Sequence, residues 1–454
     1  MPSAGAAPPG LRVAILLPLS GGNAGLGQAM LRAARLALAS PGSPGLDVRD
    51  THGTADGAAE AARVSLASGD ALILGPLTNT ETAAVAPLAA AAGVGVLAFT
   101  SDQAQARPGV WVLGITAEQQ VGRLVAAARE DGRSRFAAVL PEGAFGQALG
   151  DALARGTAGT GTPAQIRRAT GFVATSAALK QVSGYAARRG AAQAQLKAAR
   201  AGGDEDARRA AAEQAAEPAP PPPVDAVLLG TGGGVLRDLA SVLALYDLKP
   251  PAVRLLGPAL WAHDAPRLGE LAGAWYVAPD PALRARFVAA YAAAGQAGTT
   301  QAGTTQVGAI QAGTTQVGAI QAGTTQVGAI QAGAIQAGAV QAGPPGGAAA
   351  DAAAGPGGAP GAAPDAAPAP GPASSGPPPG LADIAYDAAA IARVLAAQGY
   401  GPVALQRPEG FAGTDGVLAL LPGGVVRRDL AVFQIDADGG SHLVAPAAAA
   451  PPGT

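Results

Sequence analysis

The 454-residue sequence contains no cysteine. That excludes disulfides, thiolate nucleophiles and cysteine-ligated zinc, and it leaves this chain no cysteine to carry a lipid. Histidine is nearly as scarce. His52, His263 and His442 lie far apart, none at metal-ligand spacing from another, and each reads as a surface polar residue. Aromatic residues make up 4% and charged residues 14%. The formal net charge is −2, and no basic stripe is interleaved with aromatics, so nucleic acid is not an expected partner. No apolar run approaches the roughly 18 to 20 residues that span a bilayer, so no transmembrane segment is expected. Met1–Gly10 is rich in Ala, Pro and Gly, without a basic stretch ahead of an apolar one. Val13–Leu19 is short and carries Pro18, so it reads as a strand and not as a signal-peptide core. No signal peptide is visible.

Glycine and proline are abundant, 66 and 39 residues, and unevenly spread. From Leu11 to about Thr175, short apolar runs alternate with helical patterns. Strands are expected at Arg12–Leu17, Leu46–Asp50, Ala71–Leu74, Val94–Phe99, Val110–Leu113 and Phe136–Leu140. Helices are expected at Gly27–Ala39, Gly57–Ala67, Thr80–Ala91 and Glu118–Arg129, the last two behind the capping residues Thr78, Asn79 and Thr116. Such alternation predicts βαβ units and a parallel sheet covered on both faces. Lys180–Glu217 is rich in Ala, Arg, Gln and Glu. It reads as solvent-exposed helix, turning at Gly202–Gly203 and ending in the proline run Pro218–Pro223. The α/β pattern resumes with strands at Ala226–Leu229, Val253–Leu256 and Ala274–Val277 and a helix at Val235–Tyr246. Beyond the helix Leu283–Ala294, a five-residue unit repeats from Gln296 to Gly343, and a Pro/Gly/Ala tract runs on to Gly380. With glycine at the centre of each unit, the repeat lacks the bulky residue that fills a β-solenoid, and it reads as a disordered insertion. The helix Leu381–Gln398 and the strands Gly416–Leu420 and Leu430–Ile435 follow.

Motifs for catalysis are absent. There is no Gly-x-Ser-x-Gly elbow and no phosphate loop ending in Gly-Lys-Ser/Thr. Gly230–Gly234 lies between a strand and a helix, but the next strand ends in Gly257 and Pro258, not in the acid that would hold a ribose. A tight strand–helix turn is the expected reading. No cofactor and no metal site are expected.

Several segments, in order, resemble the Leu/Ile/Val-binding protein family. Val13-Ala14-Ile15-Leu16-Leu17-Pro18-Leu19-Ser20-Gly21 is similar to its first strand and loop, and Arg49-Asp50-Thr51 followed by Gly57–Ala62 to its second strand and helix. Leu74-Gly75-Pro76-Leu77-Thr78-Asn79-Thr80-Glu81-Thr82 is similar to its turn before the third helix, Gly95–Ser101 to its fourth strand, and Ala385-Tyr386-Asp387-Ala388 to a late helix. A narrower resemblance is to the penicillin-binding-protein activators of the same type I periplasmic binding protein superfamily. Gly75-Pro76-Leu77, Leu255–Trp261, Leu271–Tyr276 and Phe411–Gly416 carry it. The resemblance implies an α/β fold of two lobes, each a parallel sheet flanked by helices, with a disordered low-complexity insertion. It implies a first lobe over 11–117 and 281–423, interrupted by the insertion 295–380. A second lobe would take 118–280, including the helical insertion and proline linker 180–223, and return over 424–445. Residues 1–10 and 446–454 would be disordered ends.

In amino-acid binders of this family the ligand carboxylate meets hydroxyls and backbone N–H groups at a helix start. The matching positions are Ser20, Thr78, Asn79, Thr80, Thr100 and Ser101, which read equally as helix caps and turn residues. Phe145 is the aromatic nearest an expected ligand position. The acid that would meet an ammonium is missing from Gly257-Pro258-Ala259-Leu260, and Asp264 comes a few residues late. An ammonium closed in without a partner costs several kcal/mol. The resemblance therefore implies a periplasmic, non-enzymatic regulator whose partner is a penicillin-binding protein. The alternative is a solute-binding protein of a branched-chain amino acid transporter, with a small amino-acid-like ligand in the cleft.

Overall fold

The computed structural model describes residues 11–159, 163–202, 204–216, 220–295 and 380–447. The expected repeat insertion falls on residues 296–379, outside the described residues, as do residues 1–10 and the last seven of the tail.

Fifteen strands form three sheets among the described residues. The first sheet is built from β1 (Arg12–Leu17), β2 (Gly45–Asp50), β3 (Leu72–Leu74), β4 (Gly95–Ala98) and β5 (Val110–Val112). All are parallel, in the order β2-β1-β3-β4-β5. The second contains β6 (Phe136–Leu140), β7 (Gln165–Arg168), β8 (Ala226–Leu229), β9 (Arg254–Gly257) and β10 (Trp275–Ala278). A small antiparallel sheet follows: β11 (Phe411–Gly413), β12 (Gly416–Leu420) and β13 (Val426–Arg428). The chain then adds β14 (Ala431–Ile435) and β15 (Ser441–Ala445) antiparallel to the edge of the second sheet, giving β15-β14-β10-β9-β8-β6-β7.

This is the expected two-lobed α/β architecture, and the apolar pattern explains it. Strands β1, β3, β6 and β8 are buried almost throughout, because helices cover both faces of each sheet. One face of the first sheet packs Ile15, Leu74 and Leu97 against Met30, Ile384, Ile391 and Leu395. Its other face packs Ile73 and Val96 against Ala58, Val85 and Ala89. The second sheet is covered likewise, with Leu179, Leu239 and Trp261 on one side and Leu124, Leu149 and Leu153 on the other.

The chain passes between lobes three times: after β5 into the helix Ala117–Glu130, after β10 into the helix spanning 281–295, and between β13 and β14. Polar contacts tie the first of these passages to the third. The Trp111 indole donates to the Leu421 carbonyl (2.9 Å), Gln119 to the Val426 carbonyl (2.8 Å) and Arg123 to the Leu430 carbonyl (2.8 Å).

The Ala- and Arg-rich segment forms two packed helices, Tyr185–Gly202 and Glu205–Ala216. Their root is less exposed than composition suggested. The Arg188 side chain is only 8% accessible; it pairs with Asp247 at 3.0 Å and donates to the carbonyls of Ser183, Tyr246 and Pro220. A guanidinium that satisfies four acceptors this way fixes the base of the hairpin while its outer faces remain in water.

Candidate ligand edge of the two lobes

In an open parallel sheet, ligands meet the carboxyl ends of the strands where the strand order reverses. In the first lobe that point lies between β1 and β3, since β2 lies on one side of β1 and β3 on the other. The loops leaving β1, β2, β3 and β4 carry Ser20, His52, Thr78–Thr80 and Thr100–Ser101. The fold therefore brings the six expected first-lobe residues to one edge.

Their polar groups are largely spoken for. The Ser20 hydroxyl lies 2.7 Å from His52 Nδ1, and Asp50 Oδ2 lies 3.2 Å from the same nitrogen. Asp50 Oδ1 accepts the backbone N–H groups of Leu19 and His52 at 2.9 and 2.8 Å. Burial works against the charge on Asp50, but the His52 N–H, the Ser20 hydroxyl and the Leu19 N–H outweigh it and hold the carboxyl below its usual range. A serine, a histidine and an aspartate together invite comparison with a nucleophilic triad. The geometry is wrong for one. A triad places serine and acid on opposite ring nitrogens, whereas here both crowd Nδ1.

Thr78 caps the helix Asn79–Ala92 in a capping box with Glu81. Glu81 is completely buried. It accepts from the Thr78 N–H (2.8 Å), the Thr78 hydroxyl (2.7 Å) and the Thr51 hydroxyl (2.5 Å). Since a hydroxyl has one proton, the contact of Thr78 with Thr80 (3.2 Å) uses the Thr80 proton. Asn79 Oδ1 accepts the Thr80 N–H at 2.8 Å, and its amide faces Asp102 at 3.5 Å. The Thr100 hydroxyl accepts the Asp102 N–H at 3.1 Å. Ser101 alone is exposed with an uncommitted hydroxyl. Apart from the hydroxyls of Ser101 and Thr100, the side-chain donors that would receive a carboxylate thus point at acceptors of the protein itself. Asp50 and Asp102 add negative charge to the rim.

The second lobe presents the loops after β6, β8 and β9. Phe145 is the second residue of the helix Ala144–Gly156 and is 42% accessible, so its ring faces solvent at this edge. Gly230–Gly234 is the tight strand–helix turn expected. Gly233 has φ +64, and a side chain on Gly232 would strike Leu260. The Gly233 N–H donates to Asp264 Oδ2 at 2.6 Å. An internal carboxylate thus occupies the helix start where a phosphate would bind. The same contact draws Asp264, the late acid, away from any ligand ammonium. Beneath the loop lies the fully buried Trp261, whose indole donates to the Thr231 carbonyl at 2.8 Å.

Sequence reading singled out the hydroxyls but missed Glu81, Asp50, His52 and Asp102, which engage them. The Thr78-x-x-Glu81 spacing was the one signal available for this. Among the described residues there is no cluster of three or more His, Asp or Glu fit for a metal, and no helix is long and apolar enough to cross a membrane.

A periplasmic binding protein family model matches residues 10–360. No curated protein sequence matches the chain. Among solved structures, the chain is similar to a protein of Rhodospirillum rubrum described as a branched-chain amino acid ABC transporter, with a TM-score of 0.59 and 15% identity over 96% of this chain and 100% of that one. It is similar to the C-domain of Haemophilus influenzae LpoA, described as a regulator of PBP1A, with a TM-score of 0.53 and 14% identity over 95% and 99%. It is also similar to an ABC transporter substrate-binding protein of Sphaerobacter thermophilus, with a TM-score of 0.54 and 16% identity over 97% and 99%. Of full-length LpoA the chain spans 58%. Identities this low speak for the fold alone.

Proposed function

The chain belongs to the periplasmic binding protein family, and from that premise we propose that it is a non-enzymatic periplasmic regulator that works by protein contact, activating a peptidoglycan synthase of the penicillin-binding-protein class. One observation carries this reading. Most polar groups at the first-lobe edge satisfy one another, and at the second-lobe edge Asp264 is engaged by the Gly233 N–H while the stretch Gly257–Leu260 carries no acid. A receptor for free amino acids needs both halves of that recognition, because a zwitterion stripped of water without partners loses several kcal/mol. The likeness to the LpoA C-domain, itself described as a regulator of PBP1A, supports the choice of partner.

The competing reading is a solute-binding protein for branched-chain amino acids, with Ser20, Thr78, Asn79, Thr80, Thr100, Ser101 and Phe145 around the ligand. Its support is the likeness to transport proteins. Thermal unfolding against a panel of amino acids at millimolar concentration separates the two. A ligand present at a thousand times its Kd stabilises the fold by about 4 kcal/mol, a plain midpoint shift. We expect a flat panel, and retention of a bifunctional penicillin-binding protein in a pull-down. A clear shift with leucine, valine or isoleucine, with no synthase retained, overturns the proposal.

A further inference from the structure

Five charged side chains meet where two of the three inter-lobe passages leave the first lobe. Arg428 ends β13, and two residues, Asp429 and Leu430, separate it from β14. Its guanidinium donates to Asp415 Oδ2 at 2.7 Å and to Asp387 Oδ2 at 3.2 Å. Asp387 also accepts the Thr414 N–H at 2.7 Å and lies 3.3 Å from the Thr414 hydroxyl. One turn earlier on the same helix, Ala382–Leu395, Asp383 pairs through two contacts with Arg284, in the first turn of the helix 281–295. One helix of the first lobe thus grips both segments, at Arg284 and at Arg428.

The cluster is largely buried, with Arg284, 23% accessible, as its outermost member, and it is unbalanced. The side chains of Asp387, Arg428, Asp415 and Asp383 are 1%, 2%, 3% and 3% accessible. Three carboxylates face two guanidiniums, leaving one negative charge in excess. Among the described residues, the cations that act on Asp387 and Asp415 are Arg428 and Arg284. The helix Ala24–Ala37 packs against Ala382–Leu395 through apolar residues, and its Arg32 is stacked on Tyr291, 3.9 Å from the ring centre. The β3 side is apolar, and the β11–β12 turn contributes only Thr414 and Asp415. A buried, uncompensated charge is expensive, and a structure relieves it by taking up a proton or by admitting water.

We propose that this cluster is a pH-sensitive latch on the hinge: with one of its carboxyls protonated the charges balance and both passages are held, and with all three ionised the passage at Arg428 loosens and the lobes sample a wider range of orientations. Asp387 is the carboxyl that carries the proton. Burial pushes it up to about 7, against the pull of Arg428 and with the help of Asp415. The latch therefore works around neutral pH. It acts on the hinge and is independent of what the ligand edge binds.

The chain has no cysteine, so a spin-label pair can be placed without background. Val173→Cys in the second lobe and Val403→Cys in the first are 80% and 89% accessible in the parent. Pulsed EPR on the full chain reads the lobe-to-lobe distance distribution at pH 6 and pH 8. We expect a broader distribution at pH 8. Asp387→Asn should show the narrow form at both pH values. Asp415→Asn leaves two carboxylates facing two guanidiniums and should also abolish the response between pH 6 and 8. Should Asp387→Asn fail to fold by circular dichroism, Asp415→Asn decides. Coincident parent distributions at the two pH values overturn the proposal, as does a parent-like pH response in a folded variant of either carboxylate.

Discussion

Replacing Glu81 tests whether the first-lobe edge is held together from within. Its carboxylate accepts three hydrogen bonds, two from Thr78 and one from Thr51, and it is fully buried. It joins the exit of β2 to the start of the helix Asn79–Ala92. Hydrogen bonds to a charged group contribute roughly 1.5 to 3 kcal/mol each, and donors left unpaired by a truncation keep their desolvation cost. Such contributions do not add fully within one network. Glu81→Ala should therefore cost about 3 to 5 kcal/mol, including the small cavity it opens. Glu81→Gln can keep its oxygen toward Thr78 and turn its amide toward the Thr51 oxygen, losing only the charge assistance, and should cost about 1 to 2 kcal/mol. Urea titration followed by circular dichroism measures both, through a lowered midpoint at unchanged slope. A cost below about 1 kcal/mol for Glu81→Ala would show that the network does not hold this edge, and would refute the view that its hydroxyls are committed to the fold.

Two other positions test the same reasoning elsewhere. Gly75 has φ +90, and a β-carbon there would stand 2.4 Å from the Leu16 carbonyl oxygen, so Gly75→Ala should destabilise by about 2 to 4 kcal/mol; a change within about 0.5 kcal/mol in the same urea titration counts against that packing. The Asp70 side chain is wholly buried, facing Arg12 at 3.3 Å, and burial, then neighbouring Asp47, push its carboxyl up from the usual range. The folded chain then holds the Asp70 proton more tightly than the unfolded chain does, so this contribution to stability is complete at low pH and is lost as pH rises through the folded value. Asp70→Asn should remove that loss: its midpoint relative to the parent should climb between pH 4 and pH 7, and a constant difference across that range contradicts the assignment.

Where apolar runs are continuous and bounded by turns, the strands were legible to the residue, as at Arg12–Leu17, Phe136–Leu140, Ala226–Leu229 and Gly416–Leu420. Edge strands were not. Gln165–Arg168 holds one apolar residue and exists because it pairs with β6. Ser441–Ala445 is largely exposed and is held by β14. The helices Ala144–Gly156 and Phe172–Val182 escaped for another reason. Each starts behind a glycine, Gly143 or Gly171, with no side-chain cap, so the usual start signal is missing. At the ligand edge the hydroxyls were readable as positions, since each follows a strand. Their commitment was not, because Ser20 meets His52 across 32 residues and Thr51 meets Glu81 across 30. In the latch, Asp387 and Asp415 stood within quoted motifs, but only the tertiary fold sets Arg428 between them.

The helix Ala382–Leu395 completes the core of a lobe whose first strand begins at Arg12. Trp111 finds its carbonyl partner 310 residues later in the chain. At roughly 5 to 20 residues per second of synthesis, that is about 15 to 60 seconds. For most of this interval β1–β5 exist with one face of their sheet only partly covered, and Ile15, Leu74 and Leu97 have Met30 beside them but lack Ile384, Ile391 and Leu395. The amino-terminal lobe thus waits on a distant segment, and a fragment ending before residue 382 would carry a partly filled hydrophobic face rather than an independent domain.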